Sequence, residues 1–152
     1  MRFRLLWVGR PKSEPHEAAL CKKYESRIAR MVKFEETALK PLAQQPSDCD
    51  REGERILQKV SDGEYLVVLD ERGREMSSRQ WADWLVTKQE ESRDVTFVIG
   101  GAYGVSHAIR ERANDMISLT RMTLPHGLAR LLLVEQIYRG LCITVNHPYH
   151  HE

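Results

Sequence analysis

Two unbroken apolar runs constrain the fold of this 152-residue chain more strongly than any other feature. They are EYLVVLD at 64–70 and DVTFVIGG at 94–101. A strand that is apolar at nearly every position is buried on both faces, which is typical of the interior of a parallel sheet. Because helical patterns separate the two runs, the sequence predicts an α/β fold with helices covering both faces of the sheet.

The rest of the chain continues this alternation of strands and helices. Residues 2–9 and 33–39 predict two further strands. The helix between them is indicated by apolar residues at about 3.6-residue spacing: Leu20, Tyr24, Ile28 and Met31. A loop at 41–50, rich in turn-forming residues, precedes a helix at about 50–61. We therefore expect an α/β/α sandwich around a mostly parallel sheet of about five strands.

Local signals place the starts of two helices. Ser77 and Gln80 form a capping box at the start of a helix whose inner face carries Trp81, Trp84 and Leu85. Ser106 caps another helix that reaches to about residue 114. Both helices follow an apolar run, as crossover helices between parallel strands do.

Composition and length are those of one globular domain, which we expect to span 1–152. Hydrophobic residues make up 41% of the chain and charged residues 30%. No apolar run approaches the roughly 20 residues that cross a bilayer, and no secretory signal is visible, so we expect a cytoplasmic protein without membrane contact. The three cysteines are far apart and lack CxxC spacing, which predicts free thiols.

Ligands of open parallel sheets bind beyond the carboxyl ends of the strands, which directs attention to the loops after Leu69, Ile99 and Leu119. Their sequences are LDERG, GGAYGVS and TRMTLPHG. The GGxxG spacing is not that of a P-loop, and the glycines serve either tight strand-to-helix packing or close approach of a flat ligand such as adenosine.

A helix beginning near His126 is apolar around most of its circumference and must be covered on more than one side. We therefore expect a second subunit to pack against it and form a homodimer. Glu135 and Arg139 lie at i and i+4 on this helix, in the favourable order for an ion pair. Since burying an ion pair is costly, we expect this one to serve a site or the dimer register.

The last 27 residues contain four of the six histidines: His126, His147, His150 and His151. Without cysteine ligands, and with two of these histidines adjacent, this pattern does not predict a metal site. The segment NHPYHH instead predicts a tail anchored by its aromatic residue over a cleft.

Taken together, the motifs LDERG, FVIGGAYGVS, LTRMTLPHGLARLLLVEQIYR and ITVNHPYHH resemble a known family over nearly the whole chain. It is the RlmH-type family of small SPOUT methyltransferases, which methylate N3 of a pseudouridine in 23S ribosomal RNA. The resemblance implies a C-terminal trefoil knot, a homodimer and S-adenosylmethionine as cofactor. It also implies a substrate stem-loop in the large subunit, preferably within the assembled 70S ribosome.

The same resemblance implies where the cofactor and the base bind. The cofactor would be held by backbone at Leu69, at Gly101 and along the third loop: Thr120, Arg121, Met122, Thr123, Leu124 and Pro125. We hypothesise that Tyr149 and His150 of the tail position the base or accept its proton near the partner's pocket, and that Arg139 stabilises the developing anion or grips phosphate. His150 is the better base, because histidine ordinarily titrates near neutral pH. His151 stands where the family usually has arginine or lysine, which weakens a basic anchor to RNA.

Three alternatives remain open from sequence. A SPOUT enzyme acting on transfer RNA or on another base would share the cofactor motifs. A non-catalytic RNA-binding dimer would need a more basic surface than the net charge of +1 provides. A nucleotide hydrolase would need a P-loop or a GxSxG turn, and the chain has neither.

Overall fold

The computed structural model describes residues 1–42 and 44–151, and within these ranges strands and helices alternate along the chain. The strands are β1 (Phe3–Val8), β2 (Phe34–Leu39), β3 (Tyr65–Glu75), β4 (Val95–Ile99) and β5 (Asp115–Ser118). The α-helices are α1 (Pro15–Ile28), α2 (Cys49–Leu57), α3 (Ser78–Glu90), α4 (His107–Arg112) and α5 (His126–Thr144).

The five strands form one sheet in the order β2-β1-β4-β3-β5, and every pairing is parallel. The predicted parallel sheet is therefore confirmed. All residues of β4 in the middle of the sheet are buried. β3 extends to Glu75, five residues beyond the predicted end at Asp70, because Arg74 and Glu75 pair with β5 after an irregularity between Leu69 and Arg74.

Side chains alternate across the sheet and build one apolar layer on each face. Trp7 and Phe97 join the layer under α1, α3 and α5, whereas Val8 and Val98 join the layer under α2 and α4. This is the predicted α/β/α sandwich. Among the described residues, no helix combines the length and apolarity needed to span a membrane.

The two predicted helix caps are present. Ser77 Oγ accepts from the Gln80 amide at 3.2 Å, and Gln80 Oε1 accepts from the Ser77 amide at 2.9 Å. Ser106 Oγ accepts from the amide of Ile109 at 3.3 Å. Each cap satisfies a donor that the first helical turn cannot pair internally.

The inner face of α1 departs from the predicted one at Leu20 alone. Ile28 is fully buried, and Tyr24 and Met31, the latter just after the helix ends, pack against the same core. Leu20 is 43% exposed, because packing against α5 and the sheet selects the neighbouring Cys21. In the predicted loop at 41–50, Pro46–Asp48 form a short 3-10 turn, and Ala43 lies outside the described residues.

Candidate functional site

A cavity of about 490 Å³ lies beyond the carboxyl ends of β3, β4 and β5. The three segments singled out from the sequence line it: Leu69 to Glu71, the glycine turn after Ile99, and the segment from Leu119 into the start of α5. The residues directly after Leu69, which were predicted to form a loop, belong to the irregular part of β3 between Leu69 and Arg74. The strand-end rule nevertheless located the cavity correctly.

The glycine turn after β4 closes on itself. The amide of Gly104 donates to the carbonyl of Gly101 at 3.0 Å, and Gly104 has a φ of 76°, a conformation that favours glycine. A Cβ on Gly100 would overlap the Gly104 carbonyl, and one on Gly101 would lie 3.0 Å from Glu52 Oε1. Tight packing of the turn therefore explains these glycines, and the same lack of side chains exposes backbone to the cavity.

Asp70 places a carboxylate at the cavity wall, where sequence reasoning had selected only its neighbour Leu69. Arg72 binds both oxygens, with Nε 3.0 Å from Oδ1 and Nη2 2.9 Å from Oδ2, and Arg110 Nη2 lies 3.2 Å from Oδ2. The hydrogen bonds from Arg72, reinforced by the charges of Arg72 and Arg110, hold the pKa of Asp70 below its usual value. Asp70 is therefore an ionised group at neutral pH. The sequence signal for Asp70 is its position directly after the apolar residues of a buried strand.

The segment between β5 and α5 forms a further part of the wall. Its cavity-lining residues include five of the six predicted ones: Thr120, Met122, Thr123, Leu124 and Pro125. Arg121 is not part of the wall; its side chain is 85% exposed and its Nε lies 3.0 Å from Glu75 Oε1. His126, which was not among the predicted cofactor residues, also lines the cavity. Leu69 and Gly101 complete the predicted set in the wall.

A second group of polar side chains lies along the second half of α5. The predicted ion pair is present: Arg139 Nε and Nη2 lie 3.0 and 2.6 Å from Glu135 Oε1. Gln136 Nε2 donates to Glu135 Oε2 at 2.7 Å. Because both oxygens are engaged, Glu135 serves as a fixed acceptor on a helix that is otherwise largely apolar.

The tail after α5 folds back onto this ion pair. Tyr149 Oη donates to Glu135 Oε1 at 2.9 Å and lies 3.2 Å from Tyr24 Oη on α1. Its ring packs 4.7 Å from that of Tyr138, and the Arg139 guanidinium lies 4.8 Å from the Tyr149 ring centroid. Burial, followed by the hydrogen bonds to Tyr24 and Glu135, raises the pKa of Tyr149 well above its usual value.

His150 continues the tail beyond Tyr149, and its Nδ1 lies 3.2 Å from Arg139 Nη1. We call Tyr24, Glu135, Arg139, Tyr149 and His150 the tail cluster. The structure thus brings the three predicted catalytic residues together, yet none of them lines the 490 Å³ cavity. The sequence indicates Tyr24 only as one of the apolar positions of the first helix, and nothing local in the sequence indicates its contact with the tail.

A smaller cavity of about 320 Å³ lies between the start of α3, the end of β5 and α5. It shares Leu119 with the larger cavity and reaches Gln136, the amide partner of Glu135. On the same helix Leu128 is 46% exposed. Part of the apolar surface of α5 is therefore left uncovered by its own chain.

The remaining reactive groups of the chain are its cysteine thiols and the side chains of types that can bind metal. Cys21, Cys49 and Cys142 are free thiols, as predicted, and two of them are buried. Across 1–42 and 44–151, no three His, Cys, Asp or Glu side chains are grouped in a way that could hold a metal ion.

A parallel sheet with a cavity beyond its strand ends is the arrangement in which α/β proteins commonly bind small ligands. The family described as predicted SPOUT methyltransferase matches residues 1–150. This chain therefore belongs to the SPOUT methyltransferase family, and it is a methyltransferase.

Two relatives that match over their full length are both named Ribosomal RNA large subunit methyltransferase H. The protein from Geotalea daltonii is 40% identical over 154 residues, covering 99% of this chain and 100% of its own length. That from Gloeobacter violaceus is 36% identical over 153 residues, covering 99% of both chains.

Solved structures share the fold at low sequence identity. A methylase family protein from Haemophilus influenzae matches with a TM-score of 0.54 at 13% identity, covering 99% of this chain and 70% of the other. One from Neisseria gonorrhoeae gives a TM-score of 0.52 at 13% identity, covering 99% and 85%.

Proposed function

We propose that this protein transfers a methyl group from S-adenosylmethionine to N3 of a pseudouridine in 23S ribosomal RNA. In this proposal residues 1–152 are one methyltransferase domain, which acts as a cytoplasmic homodimer on the assembled 70S ribosome. The observation that carries it is the 490 Å³ cavity, whose wall includes residues from all three motif segments. Full-length relatives named for large-subunit ribosomal RNA support this substrate class over transfer RNA.

The cavity suits the cofactor in size and lining. Small-molecule sites usually measure about 300 to 1,000 Å³ and combine apolar walls with a few fixed polar groups. Here Leu69, Ile99 and Leu119 supply apolar wall, and the glycine turn supplies exposed backbone donors and acceptors. When bound, S-adenosylmethionine supplies an electrophilic methyl group on a sulfonium and is left as a neutral thioether.

Backbone at Leu69, Gly101 and 120–125 would hold the adenosine and methionine portions. The Arg121 side chain has no part in this proposal, because it pairs with Glu75 and lies outside the cavity wall. The Asp70 carboxylate at the wall is already paired with Arg72 and Arg110, so its negative charge is balanced within the protein and we assign it no role in binding the sulfonium.

The tail cluster supplies the groups that act on the base. N3 of the pseudouridine is an imide nitrogen, so its proton must leave and the two flanking carbonyl oxygens must carry negative charge during attack. Arg139, Tyr149 and His150 offer N–H and O–H groups of this kind in one place. Within a single protomer, none of these three residues lies in the cavity wall.

In our proposal, a second protomer brings a tail cluster and a cavity together. The tail cluster of one subunit would face the cavity of its partner across a two-fold axis, with the uncovered part of α5 around Leu128 in the interface. Such an arrangement explains why a chain this small carries its cofactor site and its base-binding groups on different surfaces.

The direct test uses labelled S-adenosylmethionine with 70S ribosomes that lack the modification, isolated subunits and transfer RNA. We expect label on N3 of one pseudouridine, identified by mass, in 70S ribosomes and not in the other two. Label in transfer RNA would replace the substrate while keeping the reaction. Cofactor binding without transfer to any of these RNAs would contradict the proposed function.

A further inference from the structure

The contact between Arg139 and His150 determines which imidazole nitrogen carries the proton. A guanidinium has five N–H donors and no acceptor. With Arg139 Nη1 only 3.2 Å from His150 Nδ1, the Nδ1 atom must therefore be the acceptor. A neutral imidazole carries one proton, so in this arrangement the proton is on Nε2.

Arg139 is held so that it cannot easily turn away from this contact. Its Nε and Nη2 atoms both bind Glu135 Oε1, and its guanidinium packs against the ring of Tyr149. Only a quarter of the side chain is exposed. The remaining terminal nitrogen, Nη1, is thereby directed at the His150 ring.

The other hydrogen bonds of the tail cluster have fixed directions as well. The Glu135 carboxylate accepts, so Tyr149 donates its hydroxyl proton to Glu135, and Tyr24 must donate to Tyr149 Oη. The raised pKa of Tyr149 keeps that hydroxyl protonated at neutral pH. The cluster therefore presents donors, and its strongest acceptor, Glu135, is occupied by Arg139, Tyr149 and Gln136.

We propose that Arg139 is a positioning residue that holds His150 in the Nε2–H tautomer, so that His150 serves methyl transfer as a neutral hydrogen-bond donor and not as the proton acceptor. This inference rests on the proposed function for its substrate. The Nε2–H group bonds to a carbonyl oxygen beside N3 and stabilises the imide anion. The N3 proton would pass to bulk water, and the N3 lone pair would form the bond to the methyl carbon as the bond from that carbon to sulfur breaks, with the electron pair of the broken bond going to sulfur.

The tautomer is measured directly, without RNA or cofactor, by NMR of protein labelled with ¹⁵N in its histidines. We expect His150, assigned by the signal lost in His150→Gln, to show a protonated Nε2 and an unprotonated Nδ1 above neutral pH. Arg139→Met should shift both nitrogens toward the averaged values of a mixed population. A wild-type His150 protonated on Nδ1 would overturn the inference whether or not the RNA substrate is correct.

Two isosteric variants test the donor role in turnover. The side-chain amide of His150→Gln places an N–H near the position of Nε2, whereas that of His150→Asn lies near Nδ1. We expect the glutamine variant to be about 10-fold more active than His150→Ala or His150→Asn, the value of one hydrogen bond to a developing charge, with the wild-type pH profile. Equal activity of Gln and Ala, together with loss of the acidic limb of the profile, would mean that His150 accepts the proton.

Discussion

The cavity and the tail cluster are built on opposite principles. The cavity lies at strand ends, and its wall is mostly apolar side chains and glycine backbone. The tail cluster consists of long polar and aromatic side chains from α1, α5 and the tail, joined by directed hydrogen bonds. It follows that added atoms should damage the cavity, whereas removed atoms should damage the tail cluster.

The largest effect is expected from Arg139→Ala. The substitution removes a cation and the contact that orients His150, so kcat should fall about 10²- to 10³-fold, as when a donor to a developing anion is lost. Cofactor affinity should be unchanged, because Arg139 does not line the cavity. Single-turnover methyl transfer and calorimetry measure the two quantities. Arg139→Lys is the control, since it keeps the charge without the planar fork. Full turnover in Arg139→Ala would remove the tail cluster from catalysis.

Gly100→Ala should act on the other region. The new Cβ would overlap the Gly104 carbonyl and force the glycine turn to shift, at a cost typical of overpacking, about 1 to 3 kcal/mol. Cofactor affinity measured by calorimetry should weaken about 10- to 100-fold. Gly63→Ala is the matched control, because no atom lies within 4 Å of its added Cβ. Equal affinities in the two variants would show that the turn does not shape the cofactor site.

Glu25→Gln tests the ion pairs that Arg130 of α5 makes outside the cavity wall and the tail cluster. Glu25 lies 3.9 Å from buried Arg130, and burial, followed by the neighbouring Glu36, raises the pKa of Glu25 to about 8. Because the folded-state pKa exceeds the unfolded one, this group favours folding below about pH 4.5, and that contribution is lost as the pH rises through about 8. The melting temperature of the wild type should therefore fall over this interval.

In Glu25→Gln the dependence of melting temperature on pH should be flatter over the same interval. Glu90→Gln, at an exposed position of α3, serves as the control and should follow the wild type. Parallel melting curves for all three proteins between pH 5 and 9 would exclude Glu25 as the titrating group.

The smallest effect is expected from Arg121→Ala, although Arg121 lies among the predicted cofactor residues. Its exposed ion pair with Glu75 should contribute about 0 to 1 kcal/mol to stability, and cofactor affinity should change less than about twofold. The cofactor affinities of Arg121→Ala and Gly100→Ala are measured by calorimetry and compared. A large loss of affinity would mean that the side chain turns inward when the cofactor binds.

Much of the fold was predictable because its signals are local. The apolar runs at 64–70 and 94–101 became β3 and β4, and the Ser77 and Ser106 caps lie where the sequence placed them. The cavity followed from the strand-end rule. The trefoil knot, which only the family resemblance suggests, stays a prediction.

The remaining features depend on contacts between distant parts of the chain. Tyr24 and Tyr149 are 125 residues apart, and helical spacing assigns Tyr24 only to the inner face of α1. The exposure of Leu20 and the continuation of β3 to Glu75 likewise reflect tertiary packing. The contact between Arg139 and His150, from which the His150 tautomer is inferred, also joins the tail to α5 and has no local sequence signal.

The most direct test of the two-region arrangement is complementation between two inactive variants. Gly100→Val should disable the cavity and Arg139→Ala the tail cluster, and the two are refolded together from denaturant as an equimolar mixture. If each site combines one subunit's cavity with its partner's tail, random pairing should restore about one quarter of wild-type methyl transfer. If the mixture stays as inactive as either variant alone, although mixed dimers are detected by native mass spectrometry, both regions must act within a single subunit.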